Sequence, residues 1–329
     1  MKIIRATIIF ALIPLLAGYF IASAHEHKTA NDTSLNFVTS PLLPTDRITL
    51  VENGNIISLT TSGVTSVPTH RPKLIEAAPL NNNFIGVDKQ TNYASLYEFS
   101  SQGALVKTLQ SGNTGNIDTM DWFTDPTISP NQQKIAFVSD KNKGKTNIPD
   151  NALFVENLST GFVQEIAKPD PHSGGIAHPI WNPADQNNII YDYYAYDRHF
   201  NPYSVIDSYN LQTQTITQLT TRKQNAYQGS FSPDGKQLIF LERNNDIATK
   251  MYIADITATG LSNIHLIATG DFAYPEFSNT AHHIYYLEAQ GNSGYNLYTA
   301  TITGSSLINQ TPLSTGGQLL ANSGFVVSR

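Results

Sequence analysis

Four side chains that could bind a polar ligand occupy the same place in four repeated stretches of this sequence. Each lies five residues before a recurring proline or asparagine. They are Asp125, His178, Gln228 and Tyr274. Brought together, a carboxylate, an imidazole, an amide and a phenol could hold a small polar molecule, an ion or an inserted segment of a partner. The alternative is that each of them satisfies backbone groups and trapped water.

The same residue types also suit a metal site. Asp125, His178 and Gln228 offer oxygen and nitrogen ligands for one divalent ion. No H-x-H or H-x-x-x-H pair accompanies them on these strands, and His282 and His283 are adjacent residues whose side chains point in opposite directions along a strand. A channel metal therefore stays an alternative, and no other cofactor is expected.

A second metal-binding pattern would arise at a processed N-terminus. Two basic residues, an uncharged apolar stretch and an A-x-A motif ending at Ala24 predict a cleavable signal peptide over residues 1–24. Cleavage would expose His25-Glu26-His27. There a free amine, two backbone nitrogens and the imidazole of His27 can hold Cu(II) or Ni(II) in a square plane. The alternative is a solvated polar arm.

Composition excludes several classes of partner. Charged residues make up 14% of the 329 residues and the net charge is −6, so the sequence lacks the basic footprint of a nucleic-acid-binding protein. There is no cysteine, which excludes disulfides and suits an exported bacterial domain whose core suffices without them. We expect a periplasmic or secreted protein with no membrane span in the mature chain.

The elements that must position these residues come from an internal repeat. The stretch Gly229–Leu241 (GSFSPDGKQLIFL) has a close copy in Thr127–Val138 and another, with a longer turn, in Ile180–Tyr191. Weaker copies begin near Ala78 and Glu276, so the units recur about every 50 residues. Each unit holds four short runs rich in β-branched and aromatic residues, which predicts the four strands of a propeller blade.

The repeat predicts an all-β fold: a six-bladed β-propeller of four-stranded antiparallel blades. The C-terminal run Gln318–Ser328 supplies the first strands of the sixth blade. Arg47–Val51 and Asn55–Leu59 complete it, so that strands from both termini remove the open edge. Which N-terminal strand takes which place is left open. The propeller domain then covers residues 46–329, after a flexible arm over residues 25–45.

The turn inside each repeat has its own chemistry. Pro233 presets φ for a turn, and Asp234-Gly235 supplies residues that tolerate a left-handed backbone. An aromatic residue precedes the turn in three copies, at Trp181, Phe231 and Phe277. We expect these large aromatic side chains to pack between neighbouring blades as core residues.

These stretches resemble the TolB-type, WD-like β-propeller repeat family. In that family an S-P-D-G turn precedes an I-A-F-V-S-like strand, and Ser232–Gly235 and Ile135–Ser139 match the two parts. The resemblance covers residues 46–329 and implies a six-bladed propeller. TolB also carries an α/β domain before its propeller, which we do not expect here because about twenty residues separate the signal peptide from the first strand.

Similar propellers also precede the catalytic domain of prolyl-oligopeptidase-like enzymes. The sequence holds no G-x-S-x-G nucleophile motif, so serine peptidase activity is not expected. Asp192 and Asp197 flank tyrosines, but nothing in the sequence fixes their separation. Paired carboxylates for glycoside hydrolysis therefore cannot be assigned.

Function in propellers usually lies at the end that holds the segments between blades and the loops between second and third strands, here called the loop-rich end. Further candidate binding residues lie in these segments, at Trp122, His172, Arg198, His199 and Tyr227. We expect an exported, non-enzymatic binding module that contacts a protein or envelope component through this end and the channel mouth. The alternative is a channel-site enzyme, a metal-dependent lyase, lactonase or glycosidase that depends on His178.

Overall fold

The computed structural model describes residues 35–91, 93–112, 121–141, 151–170, 175–244, 247–280, 282–291, 294–316, 319 and 324–328. These residues form six four-stranded antiparallel sheets and one two-stranded pair, and they contain no helix. The predicted six-bladed β-propeller is confirmed. Within the described ranges, no helix is long and apolar enough to cross a membrane.

A short strand, β1 (Asn36–Phe37), precedes the first blade. Blade 1 holds β2 (Arg47–Glu52), β3 (Asn55–Thr60) and β4 (Gly63–Pro68). Blade 2 holds β5 (Leu74–Leu80), β6 (Asn83–Lys89), β7 (Ala94–Phe99) and β8 (Leu105–Gln110). Blade 3 holds β9 (Phe123–Ile128), β10 (Lys134–Ser139), β11 (Ala152–Asn157) and β12 (Val163–Ala167).

Blade 4 holds β13 (Gly175–Asn182), β14 (Asp185–Tyr196), β15 (Pro202–Asn210) and β16 (Thr215–Gln218). Blade 5 holds β17 (Ala226–Phe231), β18 (Gln237–Asn244), β19 (Ile247–Thr257) and β20 (Gly260–Thr269). Blade 6 holds β21 (Phe272–Phe277), β22 (His283–Ala289), β23 (Tyr295–Thr303) and β24 (Ser306–Pro312). The chain then adds β25 (Ser314–Thr315) and β26 (Val326–Ser328), and β26 is the innermost strand of blade 1.

The core lies between the blades. In β10, a second strand, every residue after Lys134 is buried, because neighbouring blades cover both faces. Trp181, Phe231 and Phe277 are also buried, which confirms that these aromatic residues are core. Trp181 packs against the preceding blade and donates a hydrogen bond from its indole to the Thr127 carbonyl, at 3.2 Å.

The turn in GSFSPDGKQLIFL is held by its own side chains. The Ser232 hydroxyl donates to Asp234 Oδ1 at 2.7 Å and accepts the Gln237 N–H at 2.9 Å. Gly235 has a φ of 70°, and a Cβ there would lie 2.2 Å from Asn182 Oδ1 of the preceding blade. Glycine therefore suits the left-handed backbone here, and a larger residue would have to displace the Asn182 side chain.

The ring closes with one C-terminal strand and three N-terminal strands. Ile48 of β2 pairs with Val327 of β26, while β3 and β4 follow as a hairpin meander. The sequence analysis predicted several C-terminal strands and did not assign β4, so that part is corrected. Tight turns join β2, β3 and β4 into one local unit, which leaves room for a single C-terminal strand.

Asp46 fastens the closing blade to blade 6. Its buried carboxylate accepts hydrogen bonds from the Ser278 hydroxyl at 2.6 Å, the Tyr285 hydroxyl at 2.7 Å and the Asn279 N–H at 3.1 Å. The chain segments joined here are more than 230 residues apart. This carboxylate therefore acts across the seam at which the ring is closed.

The described part of the predicted arm is packed onto the propeller. Phe37 of β1 pairs with Ser314 of β25, Leu42 is buried, and Leu35 and Phe37 pack against the core shared by blades 1 and 6. The expectation of a flexible arm is therefore corrected for residues 35–45, because their apolar side chains cover this seam. The predicted signal peptide and the candidate metal ligands His25 and His27 lie outside the described residues.

Candidate functional site

The four residues singled out from the repeat share an unusual backbone conformation, and we call them the ring residues. The φ angles of Asp125, His178, Gln228 and Tyr274 are 52°, 49°, 49° and 49°. At each position the pairing of the innermost and second strands slips, as in a β-bulge. Any residue other than glycine costs about 1 to 2 kcal/mol in this left-handed region. Local contacts must offset that cost.

Hydrogen bonds between blades provide these contacts. In blade 2, Glu76 Oε2 accepts the Asp125 N–H of blade 3 at 2.7 Å, and Glu76 Oε1 accepts the Thr124 hydroxyl at 2.9 Å. Asp125 Oδ2 in turn accepts the His178 N–H of blade 4 at 3.2 Å. The left-handed amides of Asp125 and His178 are thus each bound by a carboxylate of the preceding blade.

The pattern continues through blades 4, 5 and 6. Asp192 of blade 4 accepts the Gln228 N–H of blade 5 with both oxygens, at 3.0 and 2.9 Å. The side-chain oxygen of Gln228 accepts the Tyr274 N–H of blade 6 at 2.8 Å. The ring residues therefore come together in one hydrogen-bonded series. The sequence analysis gave as an alternative to ligand binding that these residues satisfy backbone groups. The hydrogen bonds of Asp125 and Gln228 to backbone amides are of this kind.

His178 also makes a contact across the channel. Its Nδ1 lies 2.8 Å from Asp192 Oδ2, which also accepts the Tyr194 hydroxyl at 3.2 Å. Its Nε2 lies 3.5 Å from the Tyr274 hydroxyl, and the two rings meet edge to face with centroids 5.4 Å apart. A Cβ on Gly324 of the closing segment would lie 2.9 Å from Tyr274 Cε1, so this glycine leaves room for the tyrosine ring.

The His178 imidazole is held as a cation. Burial alone would lower the pKa of this imidazole, but the charges of Asp125, Asp192 and Glu76 and the hydrogen bond to Asp192 raise it to about 9. At neutral pH both ring nitrogens are then hydrogen-bond donors. A metal at His178, the role that the sequence analysis considered, would have to displace this proton.

Two glutamates give the channel wall a pH-dependent charge. Burial raises the pKa of Glu276 to about 8, although the hydrogen bond from the Ser230 hydroxyl, at 3.1 Å, opposes the shift. Burial and the nearby Asp125 carboxylate also raise the pKa of Glu76. Both side chains therefore gain negative charge at a pH well above that at which an exposed glutamate ionises.

A cavity of about 520 Å³ lies against the ring residues. Its walls run from them along the innermost strands to the turns between first and second strands. Those turns contribute Pro130, Pro183, Pro233 and Asn279. The cavity therefore extends toward the turn end of the propeller, whereas the sequence analysis placed the site toward the loop-rich end. Toward the loop-rich end its lining consists of Glu76, the ring residues and Gly324.

The remaining predicted site residues lie elsewhere. The Trp122 N–H donates to Asp140 Oδ1 at 2.7 Å, and its side chain packs against the core between blades 2 and 3. Tyr227 is a core residue whose ring lies 4.7 Å from the Arg243 guanidinium. Arg198 and His199 are exposed at the tip of the β14–β15 hairpin, with Arg198 Nε 3.0 Å from His199 Nε2. His172 lies outside the described residues.

Across the part of the chain that the structure describes, no three His, Cys, Asp or Glu side chains are grouped to hold a metal ion. The amide oxygen of Gln228, the third ligand considered for a channel metal, accepts the Tyr274 N–H. The described channel residues are thus arranged to join blades.

Sequence reasoning did not link the carboxylates Asp192 and Glu76 to the ring residues, and considered Asp192 only for glycoside hydrolysis. Asp192 lies on β14, the second strand of its blade, and pairs with Ala177 beside His178. Glu76 lies two residues beyond Leu74, the residue that the repeat spacing places at this level. The sequence did offer a signal for both carboxylates. Each is a charged residue within an apolar run beside a ring position, and a buried carboxylate needs hydrogen-bond partners.

No protein-family model matches this sequence, and no curated protein sequence is significantly similar to it. Solved structures do match its fold. TolB from Acinetobacter baumannii has a TM-score of 0.63 and 18% identity, with 85% of this chain and 66% of that chain covered. At these identities the likeness establishes a common fold.

Two other propellers are similar at this level. A chain in the crystal structure of a nidogen/laminin complex has a TM-score of 0.57 and 11% identity, covering 86% of this chain and 98% of that chain. An oligogalacturonate lyase in complex with manganese has a TM-score of 0.56 and 10% identity, covering 77% of this chain and 69% of that chain. This chain spans 66% of the length of the TolB chain, just under two thirds.

Proposed function

We propose that this protein is an exported binding module that contacts a partner protein or envelope component through its loop-rich end and the channel mouth. The fold that it shares with TolB supports a binding role in general terms. The ring residues support the same role, since hydrogen bonds between the blades fix a rigid frame below this end.

The β14–β15 hairpin is the observation that carries the proposal. Its strands, of 12 and 9 residues, are long for this propeller and end in an ordered loop. Asp197 Oδ1 accepts the N–H groups of His199 and Asn201, at 2.7 and 2.9 Å, and the Asn201 amide donates to Oδ2 at 3.0 Å.

This ordered loop presents Phe200, which is 81% exposed. An aromatic side chain held in water by a rigid loop loses little conformational entropy on binding, and such residues are enriched among those that anchor protein interfaces. Phe200 is therefore suited to insert into an apolar pocket of a partner.

Export belongs to the same proposal. The N-terminal pattern supports cleavage after Ala24 and a periplasmic or secreted location. Mass spectrometry of the mature protein is expected to give His25 as the first residue. An uncleaved N-terminus, or a mature chain that begins within the propeller, would contradict this part.

The binding role is tested with two phenylalanines at opposite ends. Phe162 is 66% exposed in the β11–β12 turn, at the end away from the loop-rich end. Immobilised protein is incubated with envelope extract, and retained proteins are quantified by mass spectrometry. We expect Phe200→Ser to lose a partner that both wild type and Phe162→Ser retain. The proposal fails if nothing is retained specifically, or if Phe162→Ser alone loses the partner.

A further inference from the structure

Basic residues are distributed unevenly around the propeller. Of the 20 lysines and arginines, 15 lie between Arg71 and Lys250, and residues 251–328 contain none. The basic stretch covers blades 2 to 4 and, in blade 5, β17, β18 and the start of β19. Blade 6 and the closing strand fall within the stretch that lacks these residues. Most lysines and arginines thus lie on four neighbouring blades, in a stretch that also holds 18 of the 26 acidic residues.

Four of these cations lie over aromatic rings at the loop-rich end, and we call them the cationic arc. The distances run from the arginine Cζ or lysine Nζ atom to the centroid of the aromatic ring. The pairs are Arg71 over Tyr97 at 4.7 Å, Lys141 over Phe154 at 5.1 Å, Arg222 over Tyr203 at 4.5 Å and Arg243 over Tyr227 at 4.7 Å. Every cation lies in a segment between blades, in a loop between second and third strands, or at the end of a second strand beside that loop.

The ring contacts help to fix the position of these cations. Arg71 is also paired with Asp88, whereas the Arg222 side chain is exposed. A guanidinium that lies flat on an aromatic ring keeps the N–H groups of its edge for a carboxylate, which binds it in a bidentate manner. Arg222 is exposed in this arrangement, and its neighbour Lys223 and Lys168 of the preceding linking segment are exposed as well.

Several acidic groups of the same blades have partners, and the exposed Asp170 lies in the linking segment that also holds Lys168. Asp88 lies 3.1 Å from Arg71 in a salt bridge, and Glu242 lies 3.1 Å from Lys250. Asp197 is bound within its loop. These pairs reduce the charge of the arc but leave Arg222 and its neighbouring lysines as its exposed positive part.

The other two blades present the opposite sign at the same end. Glu52 ends β2 in blade 1, Asp271 precedes β21, and Glu288 lies near the end of β22 in blade 6. All three are partly exposed. The loop-rich end therefore has a cationic arc over blades 2 to 5 and an acidic sector over blades 6 and 1.

We propose that the cationic arc binds an acidic segment of a partner protein, and that the acidic sector fixes the orientation of that segment by repelling it from blades 6 and 1. This inference rests on the proposed function, since it names the partner chemistry of the same end. Opposite charges on one face favour one orientation of a docked partner and raise its association rate.

The change of sign favours a protein segment over a membrane or a uniform polyanion. A flat anionic surface or a continuous anionic polymer that covers this end would also meet Glu52, Asp271 and Glu288. A protein segment can place its carboxylates on the arc alone. Phe200 projects from blade 4, within the arc, where an apolar residue between carboxylates would meet it.

The test uses two pairs of exposed lysines. A fluorescein-labelled peptide of glutamates around a central leucine is titrated with the protein at low salt, and binding is followed by fluorescence anisotropy. Lys168→Glu/Lys223→Glu changes the arc. Lys107→Glu/Lys236→Glu makes the same change in net charge away from the loop-rich end. We expect the arc variant to weaken binding about tenfold and the control variant less than about twofold.

Other results would overturn the inference. Equal losses in both variants would show that net charge alone attracts the peptide, and no binding by the wild type would show that the arc is not an acidic-peptide site. Vesicles containing phosphatidylglycerol, or polygalacturonate, bound in place of the peptide would assign the arc to another class of partner. The Phe200→Ser retention experiment does not depend on the peptide, so the two proposals can fail separately.

Discussion

The two halves of the channel wall are built differently. In blades 3 to 6, each innermost strand turns through a left-handed residue whose amide is bound by the preceding blade. In blade 2, neither Leu74 nor Ile75 has a positive φ, and Ile75 packs against the core. In blade 1, the corresponding segment passes through Gly324, against which the Tyr274 ring lies.

This difference shows what the left-handed residues do. A β-bulge directs an amide toward the neighbouring blade, and a carboxylate or amide oxygen there binds it. The arrangement gathers Asp125, His178 and Asp192 into one charged cluster. Blades 1 and 2 have no left-handed ring residue at this level, although Glu76 of blade 2 binds the Asp125 amide. The polar half, which is the ring residues of blades 3 to 6 with the carboxylates that bind them, joins neighbouring blades. The wall of blades 1 and 2 gives the Tyr274 side chain room to cross the channel.

The largest expected effect comes from Asp192, which binds three groups of the polar half. Asp192→Ala leaves the His178 cation and the Gln228 amide without this carboxylate, and breaking a buried charge pair costs about 3 to 5 kcal/mol. Thermal unfolding is expected to show a clear fall in Tm at neutral pH. As a control, Asp234→Ala removes an exposed turn carboxylate and should cost much less. Equal losses would refute a special role for the polar half.

A smaller effect on the free energy of unfolding distinguishes a left-handed backbone position from an ordinary strand position. At Gln228, with its φ of 49°, glycine should give a more stable protein than alanine by about 1 kcal/mol, since both variants lose the side-chain hydrogen bond but only alanine keeps the strain. At Ile75 the order should reverse, because glycine has no advantage there and costs chain entropy. Denaturant unfolding of the four variants measures both differences. The same order at both sites would contradict the comparison.

The smallest expected effect depends on pH. The unfolded chain loses the Glu276 proton near the ordinary pKa of 4.5, whereas burial holds the folded pKa at about 8. Its contribution to stability is therefore greatest below the unfolded value and is lost as pH rises to the folded value. Glu276→Gln, which resembles the protonated form, should raise Tm by about 2 to 4 °C at pH 9 and have little effect at pH 5. A gain at acid pH instead would show that charge is not the cause.

The repeat allowed the fold and the ring positions to be predicted from sequence. Its period fixes which residue of each unit begins the innermost strand, so Asp125, His178, Gln228 and Tyr274 were identified together. Asp192 was not, because it lies on another strand and a bulge decides which residues meet. The uneven distribution of lysine and arginine along the chain is visible in the sequence. Their distribution around the propeller becomes clear only when blades 6 and 1 are known to be neighbours.

The central claim is that the loop-rich end contacts the partner. The most direct test places the photo-crosslinking residue p-benzoylphenylalanine at Phe200 or at Phe162, which are exposed at opposite ends. Cells that export each variant are irradiated, and adducts are separated by size. We predict an adduct to one partner from position 200 and none from position 162. Adducts from position 162 alone, or from neither position, would contradict the claim.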